Sequence, residues 1–266
     1  MTTTSTTMIP ARAAARLSGK VAVVTGAGQG VGRGIALALA ESGAAVVLVG
    51  RTLRTLESVA EEIHATGGTA DSLVIDITDE TAAESIIATA VMWLGSVDML
   101  VNNANLAEPM PLDEYSDAAF RTAFEAGPRA SLSLMKQARP YMVARGGGVV
   151  INLVSSAAVR WDAADHGVYA AVKEAIRALT RAAACEWGPD GIRALTVAPH
   201  AHSPGLDWWV RHNPEEAERF IARIPAGRVG DPVADIGRPV AWLCTAEASY
   251  LTGVTIPLDG GQSRWG

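Results

Sequence analysis

Tyr169 and Lys173, four residues apart in Tyr169-Ala-Ala-Val-Lys173, are the pair in this sequence best suited to moving a proton. They fall in a helical pattern over Val168–Trp187, where an i,i+4 spacing puts phenol and ammonium on one face. A free phenol titrates near pH ~10. A neighbouring cation favours phenolate and brings the group toward the working range of a general acid or base. By itself such a pair is commonly a solvated helix face. It gains meaning from Thr25-Gly-Ala-Gly-Gln-Gly-Val-Gly32, which lies between the apolar run Val21–Thr25 and a helical pattern over Val31–Ser42. Glycines at a strand-to-helix turn let the backbone turn tightly and approach a pyrophosphate, whose charge is met by free amides and the positive helix end. Gly26, Gln29, Gly30, Val31 and Gly32 are therefore candidate nucleotide-binding residues, against the plainer reading of a tight turn with close helix–sheet packing.

The second strand selects the nucleotide. It ends Val49-Gly50-Arg51, with no acidic residue to pair with a free 2′-hydroxyl. Arg51 suits a 2′-phosphate, so NADP(H) is expected ahead of NAD(H), which stays possible; Gln29 is neutral where a second basic group would add to the case. Asp76, with Ile77 beside it at the end of the third strand, could accept from an adenine amine or cap the next helix. Ser155-Ser156 follows the run Val149–Val154 at the carboxyl edge of a sheet, where a hydroxyl could hold a substrate oxygen or start a turn.

The elements that must position these residues alternate along the chain. Apolar, β-branched runs at Val21–Thr25, Ala45–Val49, Ser72–Ile75, Asp98–Val101, Val149–Val154, Arg193–Val197 and Val254–Leu258 predict seven strands. Helical spacing covers Val31–Ser42, Thr55–Thr66, Asp79–Leu94, Ser116–Ala144, Val168–Trp187 and Val233–Cys244. Alternation of this kind predicts an α/β fold: one doubly wound, Rossmann-type domain with a seven-stranded parallel sheet flanked by helices. Only Pro199 to Pro232 breaks the rhythm. Residues 1–17 read as a loose polar tail without the apolar stretch of a signal peptide, and 18–266 as the domain.

Composition narrows the partners. Among 266 residues, 49% are apolar and 19% charged, with a formal charge of −6 and basic residues spread singly, which argues against a nucleic-acid backbone as ligand. No charge-free stretch approaches the roughly 20 apolar residues of a membrane span. Cys185 and Cys244 are far apart and suggest neither disulfide nor zinc site, which fits a cytoplasmic protein. His200 and His202 lack a third ligand of suitable spacing, so no metal is expected.

The chain resembles the short-chain dehydrogenase/reductase family in its single-domain form, from Ser18 to Gly261. The resemblance is carried by Thr25-Gly-Ala-Gly-Gln-Gly-Val-Gly32, Asp76, Val101-Asn-Asn-Ala104, the Ser155 region, Tyr169-Xaa-Xaa-Xaa-Lys173, Val197-Ala-Pro199, and Leu251-Thr-Gly253 with Leu258-Asp-Gly-Gly261. It implies that Tyr169 is the general acid/base, that Lys173 lowers its pKa and binds the nicotinamide ribose, and that Ser155 positions the substrate oxygen. Counting from Asn152 favours Ser155; the usual spacing back from the tyrosine favours Ser156. Asn103 and Ala104 would lie beside the adenosine ribose and Pro199 beside the nicotinamide. A homotetramer or homodimer built partly from the two long helices is also implied, with a small-molecule ketone or secondary alcohol as substrate.

Several positions depart from the family pattern. On the active-site side Asn105 replaces a glycine, Leu195 an asparagine, and His200 another glycine, which makes Asn105 and His200 candidate substrate contacts; Pro204 stands where a threonine often holds the nicotinamide amide, with Ser203 beside it as a candidate substitute. The asparagine that usually helps hold a proton-relaying water falls in register with Gly127. Pro128 follows and should kink that helix, freeing a carbonyl for water. Residues near 200–230, with Trp208, Trp209, Phe220 and Ile221, fall where the family carries a substrate lid and point to a bulky, apolar substrate; packing into the core or a subunit interface would explain them equally. Trp161 and His166 are further pocket candidates. The competing class is a non-catalytic nucleotide-binding protein in which Asn105, Gly127 and His200 mark lost chemistry. A sugar epimerase or dehydratase is disfavoured by the glycine spacing and the missing substrate domain.

Overall fold

The computed structural model describes residues 16–107, 109–159 and 165–265. Seven parallel strands form one sheet: β1 Val21–Thr25, β2 Ala45–Gly50, β3 Thr69–Val74, β4 Met99–Asn102, β5 Gly148–Leu153, β6 Ile192–Pro199 and β7 Thr255–Leu258. Their spatial order is β3-β2-β1-β4-β5-β6-β7, so the winding direction reverses between β1 and β4. Ligands of open parallel sheets bind at such a reversal, beyond the carboxyl ends of the strands.

Strand composition explains why helices cover both faces. Ala22 and Val24 of β1 pack with Ile35 and Leu39 of α1 (Gly30–Glu41), Leu56 of α2 (Leu53–Ala65) and Val240 of α9 (Arg238–Leu243). Val23, pointing the other way, joins Ile86 of α3 (Ala82–Leu94), Leu134 of α5 (Ala130–Ala144) and Ala183 of α6 (Gly167–Trp187). Successive side chains of a strand point to opposite faces. A strand apolar at every position therefore needs two helical layers.

The structure revises several sequence-based boundaries. β3 begins at Thr69 rather than Ser72; it is an edge strand with exposed positions, so its polar start carries no strand signal. The expected helix Ser116–Ala144 is two α-helices, α4 (Asp117–Phe124) and α5, joined by a π-helical turn at Glu125–Arg129. Pro128 has no amide hydrogen and its ring crowds the preceding turn, and widening the register absorbs both effects in place of a simple kink. A second π turn, Pro232–Gly237, replaces the start of the helix expected from Val233. The irregular stretch after β6 holds two short helices, α7 (Pro204–His212) and α8 (Pro214–Ile221). Leu17, at the end of the expected tail, is buried, and its amide donates to Ser42 O at 2.9 Å.

Candidate active site

The glycine-rich turn opens into a cleft of about 540 Å³ at the carboxyl ends of β1 to β4, within the range of small-molecule sites. Thr25 and Asn103 build its floor. Thr25 Oγ1 accepts from the amides of Asn103 and Ala104 at 3.0 and 3.1 Å, and Asn103 Nδ2 donates to Thr25 O at 2.9 Å and Gly26 O at 3.2 Å. The β4 end is thus stitched to the turn. Gly26 has a φ of +64°, and a Cβ there would meet Asn103 Nδ2 at 2.7 Å; a Cβ on Gly32 would strike Gly26 O. Only glycine serves at these positions. Gln29 caps α1 with extended backbone and makes no side-chain capping bond, which leaves the first amides of α1 available to an anion. The backbone cradle, the free amides and the cleft volume fit a dinucleotide.

The other expected cofactor residues distribute around this cleft. Gly30, Val31, Arg51, Asp76, Ile77 and Ala104 line it, as does Asn105, expected as a substrate contact; so do Ser203 and Pro204, at the register where the resemblance places a residue on the nicotinamide amide. Arg51 Nη1 stands 3.7 Å from Asp76 Oδ2. Asp76 does not cap α3, whose N-cap is Thr81; it accepts instead from Thr78 N at 2.9 Å and Thr78 Oγ1 at 2.8 Å. The Thr78 amide, and less strongly Arg51, hold its carboxyl below the usual range.

Beyond the cleft, β5 ends at Leu153 and delivers Ser155 to Tyr169 on α6. Ser155 Oγ accepts from Ala157 N at 3.2 Å, and the serine is near enough to Tyr169 to favour the ionised phenol. The neighbouring serine faces elsewhere: buried Ser156 donates to buried Asp259 at 2.6 Å. The same carboxylate accepts from Gly261 N and Ser263 N at 3.0 and 3.1 Å, and Ser263 Oγ donates to Ser156 O at 3.1 Å. A knot of four hydrogen bonds therefore holds the segment after β7 against the serine turn.

Lys173 sits one helical turn after Tyr169, with Nζ 5.3 Å from the phenol ring centroid and donating to Leu153 O at 3.1 Å. Its burial drives its pKa down to about 8. Burial also raises the Tyr169 phenol, opposed by the Ser155 hydrogen bond. The expectation that the lysine lowers the tyrosine is therefore corrected for the protein alone: desolvation of the phenol is the largest influence, and the lysine is itself pushed toward neutrality. A buried polar chain sets the helix that carries both groups. Asn102 Nδ2 donates to Asn152 Oδ1 at 2.8 Å, Asn152 Nδ2 to Thr180 Oγ1 at 2.8 Å, and Thr180 Oγ1 to Ile176 O at 2.7 Å.

The expected substrate residues divide. His200 meets Phe220 edge-on at 5.4 Å and Trp209 meets the same ring at 5.6 Å, forming one aromatic group across β6, α7 and α8. Trp208 is instead exposed and stacks on His212 at 4.2 Å. Trp161 lies outside the described residues. Pro199 ends β6, and His166 meets Tyr169 edge-on at 5.7 Å. His202 Nδ1 lies 2.7 Å from Asp207 Oδ1, and among the described residues no group of three potential metal ligands occurs. Nor, among them, is any helix long and apolar enough to cross a membrane.

Gly127 packs directly on α6: a Cβ there would lie 2.5 Å from Cγ1 of buried Val172. Val172 is β-branched and stiff, so overpacking of about 1–3 kcal/mol is the expected cost of a side chain. Gly127→Asn is expected to lower unfolding stability by that amount in urea melts without raising turnover, and Val172→Ala in the same chain to return part of it. An unchanged melt with faster turnover would contradict the packing argument.

Fold and site together fit a nicotinamide-nucleotide-dependent oxidoreductase: a glycine-lined cleft at the sheet reversal beside a serine–tyrosine–lysine group. A family model described as Enoyl-(Acyl carrier protein) reductase matches residues 26–263. The chain is 35% identical over 254 residues to a 12alpha-hydroxysteroid dehydrogenase of Clostridium sp., covering 92% of this chain and 97% of that one. It superposes on a 7 alpha-hydroxysteroid dehydrogenase complexed with NADH and 7-oxo glycochenodeoxycholic acid with a TM-score of 0.88 at 33% identity, covering 94% and 97% of the two chains. A structure described as an NAD(P)-dependent gluconate 5-dehydrogenase from Beutenbergia cavernae, with NADP bound, gives 0.85 at 34% identity, covering 94% and 99%. The chain belongs to the short-chain dehydrogenase/reductase family, oxidoreductases acting on CH–OH and C=O groups.

Proposed function

We propose that the protein is an NADP(H)-preferring oxidoreductase that interconverts a bulky, largely apolar ketone and its secondary alcohol. The observation that carries this reading is the placement of Lys173 against the buried Tyr169 phenol, with Ser155 near enough to ease its ionisation, at the carboxyl edge beside the glycine cleft. A bound nicotinamide supplies or removes the hydride at the carbon. In reduction Tyr169 gives its proton to the carbonyl oxygen; in oxidation it takes the alcohol proton. Ser155, whose Oγ already accepts from Ala157 N, has a single hydrogen, which it donates to the substrate oxygen when substrate is bound and is free to donate to a phenolate otherwise. Lys173, anchored to Leu153 O, places positive charge beside the phenol as it loses its proton.

Arg51 supports the NADP(H) preference: it lines the cleft, is largely exposed, and loses little by leaving Asp76 for a phosphate. The relatives bind NADH in one case and NADP in another, so this residue carries the distinction. A charge-assisted contact is worth about 1.5–3 kcal/mol. Arg51→Ser is therefore expected to weaken NADPH binding by at least about tenfold, leaving NADH nearly unchanged. Titration of both cofactors, with turnover of a panel of bulky ketones followed by reduced-nicotinamide absorbance, tests the proposal. NADH preferred by the natural protein would remove Arg51 from the argument. Tight NADPH binding without turnover would favour the binding-only reading, to which the filled space at Gly127 gives its one structural support.

The aromatic group of His200, Trp209 and Phe220 supports a bulky substrate. Exposed Leu132, Tyr141 and Val143 on α5 support a homotetramer or homodimer built on the long helices; sedimentation measures it. The cysteines are both free, Cys185 exposed and Cys244 buried, in keeping with a reducing cytoplasm.

A further inference from the structure

The segment that carries α7 and α8 leaves the sheet after β6 and returns to it, and both of its roots are fastened to the end of β7. At the outgoing root His200 N donates to Leu258 O at 3.0 Å, and at the returning root Ala226 N donates to Gly260 O at 3.0 Å. The two roots are also joined to each other: Gly230 N donates to His200 O at 3.2 Å and His202 N to Gly230 O at 3.0 Å. Packing enforces the second attachment. Gly260 and Gly261 have φ of +65° and +85°, and a Cβ on them would meet Ile224 at 2.9 Å and Pro225 at 3.0 Å, so only glycine lets the chain turn this close to the returning root.

Asp259 stands between these two glycines and Leu258, with its carboxylate turned the other way, into the protein. Oδ1 takes Gly261 N, and Oδ2 takes Ser263 N and the hydroxyl of Ser156. Ser156 opens a short helical turn, Ser156–Ala158, of which Ser155 is the cap: Ser155 Oγ accepts from Ala157 N at 3.2 Å and Ser155 O from Ala158 N at 3.0 Å. A carboxylate buried this deeply is costly unless its oxygens stay hydrogen-bonded. Displacing any one donor therefore strains the other two. One of those donors belongs to the turn that presents Ser155, and another to the glycines that hold the root of α7 and α8.

We propose that Asp259 is a positioning residue that ties Ser155 to the α7–α8 segment, fixing the serine turn through Ser156 and the returning root through Gly261. The inference rests on the reaction proposed above, in which Ser155 holds the substrate oxygen and the aromatic group of His200, Trp209 and Phe220 borders the substrate's bulk. Asp259 acts through these two walls and not on the substrate. His200 belongs to the outgoing root and Phe220 to α8, so the tie sets the hydroxyl that receives the carbonyl in register with the rings that orient the rest of the molecule. Such register is what a hydride transfer to one face of a carbon demands.

Two variants of the full-length protein, each saturated with NADPH, separate the branches. Asp259→Asn has one acceptor oxygen, so its amide hydrogens face a donor on one side or the other. Ser156→Ala cuts the serine branch alone, leaves Asp259 both backbone amides, and serves if Asp259→Asn does not fold. Backbone amide exchange is read first, because it needs no substrate. In Asp259→Asn it is expected to quicken at least about tenfold at Ala157, Ala158 and Ala226 together, and in Ser156→Ala at the first two only, while Asn103 and Ala104, bonded to Thr25, keep their protection. Turnover of the ketone panel is read second. Both variants are expected to lower kcat at least about fivefold in the natural background and less than about twofold in Ser155→Ala. Only Asp259→Asn raises KM for the ketone, and NADPH affinity holds in both. Unchanged exchange at Ala157 and Ala158 in either variant overturns the tie. So does a full loss of kcat repeated in Ser155→Ala, or NADPH affinity falling as far as kcat, because Asp259 would then be a general support of the fold. The expected exchange pattern in a protein that turns over no ketone sinks the reaction proposed above and leaves the tie standing.

Discussion

Tyr169→Phe is expected to lower kcat by roughly 10²–10⁴-fold, the usual worth of a positioned general acid or base, while NADPH affinity stays within about twofold. The reason is local. The ring packs with a buried apolar group that includes Val168, Val172 and Ile176, and phenylalanine keeps that packing. Only the hydroxyl is removed, and with it the proton donor and the partner of Ser155. Folding should lose no more than about 1 kcal/mol, the net worth of one hydrogen bond. Because Ser155 acts on the same oxygen, Ser155→Ala and Tyr169→Phe should be strongly non-additive, the double variant being little slower than Tyr169→Phe alone. Retained turnover in Tyr169→Phe would remove the phenol from the chemistry, and additive losses would separate the two hydroxyls.

Lys173→Met should abolish most turnover and yet make the protein more stable at neutral pH. Lys173 is buried, with a pKa lowered from 10.5 to about 8 by desolvation. Its folded-state pKa lies below its unfolded value, so charging it costs stability. That cost is fully present below about pH 8 and is relieved as pH rises toward 10.5. The size is of order 3 kcal/mol, offset by about 1 kcal/mol for the lost donor to Leu153 O. The variant should therefore exceed the natural protein in urea melts at pH 7 by about 1–2 kcal/mol, and the gap should close between pH 8 and 10. Tyr169 and Cys244, raised by burial, destabilise the fold as pH passes their unfolded values of 10.0 and 9.0, an overlapping loss common to both proteins, so the difference between the two melts isolates the lysine. A variant less stable at pH 7, or a gap independent of pH, would show that the lysine is paired more favourably than its surroundings indicate.

The residues that announced themselves in the sequence did so through constraints on the backbone. Gly26 and Gly32 are legible as a tight strand-to-helix turn because only glycine tolerates what Asn103 and the Gly26 carbonyl do to the space around them. Tyr169 and Lys173 could be placed on one helical face because a helix fixes that geometry locally. What escaped depends on contacts distant in sequence. Nothing near Thr25 says that its hydroxyl will take two amides from the end of β4. The direction of the Tyr169 shift was misread because spacing reveals a neighbouring charge but not the depth at which both groups are buried. Pro128 gave warning of an irregular helix, yet a kink and a π turn answer the same missing amide, and the packing of Gly127 on Val172 decides between them. Ser155 and Ser156 could not be told apart by counting alone, since what separates them is Asp259, over a hundred residues away.

That distance governs when the reactive centre can come into being. A chain emerging from the ribosome exposes its amino-terminal part first, so the glycine turn, the first two strands and even α6 are available for pairing while the last strand is still being made. The carboxylate that turns Ser156 aside is not: it follows β7 directly, 103 residues after the serine it holds. Contacts of such long range carry a closure cost that must be met before they repay it. A nascent chain stopped just short of Asp259 would hold nearly the whole sheet and the dinucleotide cradle, but its serine turn would lack the tether from the segment beyond β7. The capacity to grip a cofactor thus precedes, in the life of each molecule, the capacity to use it.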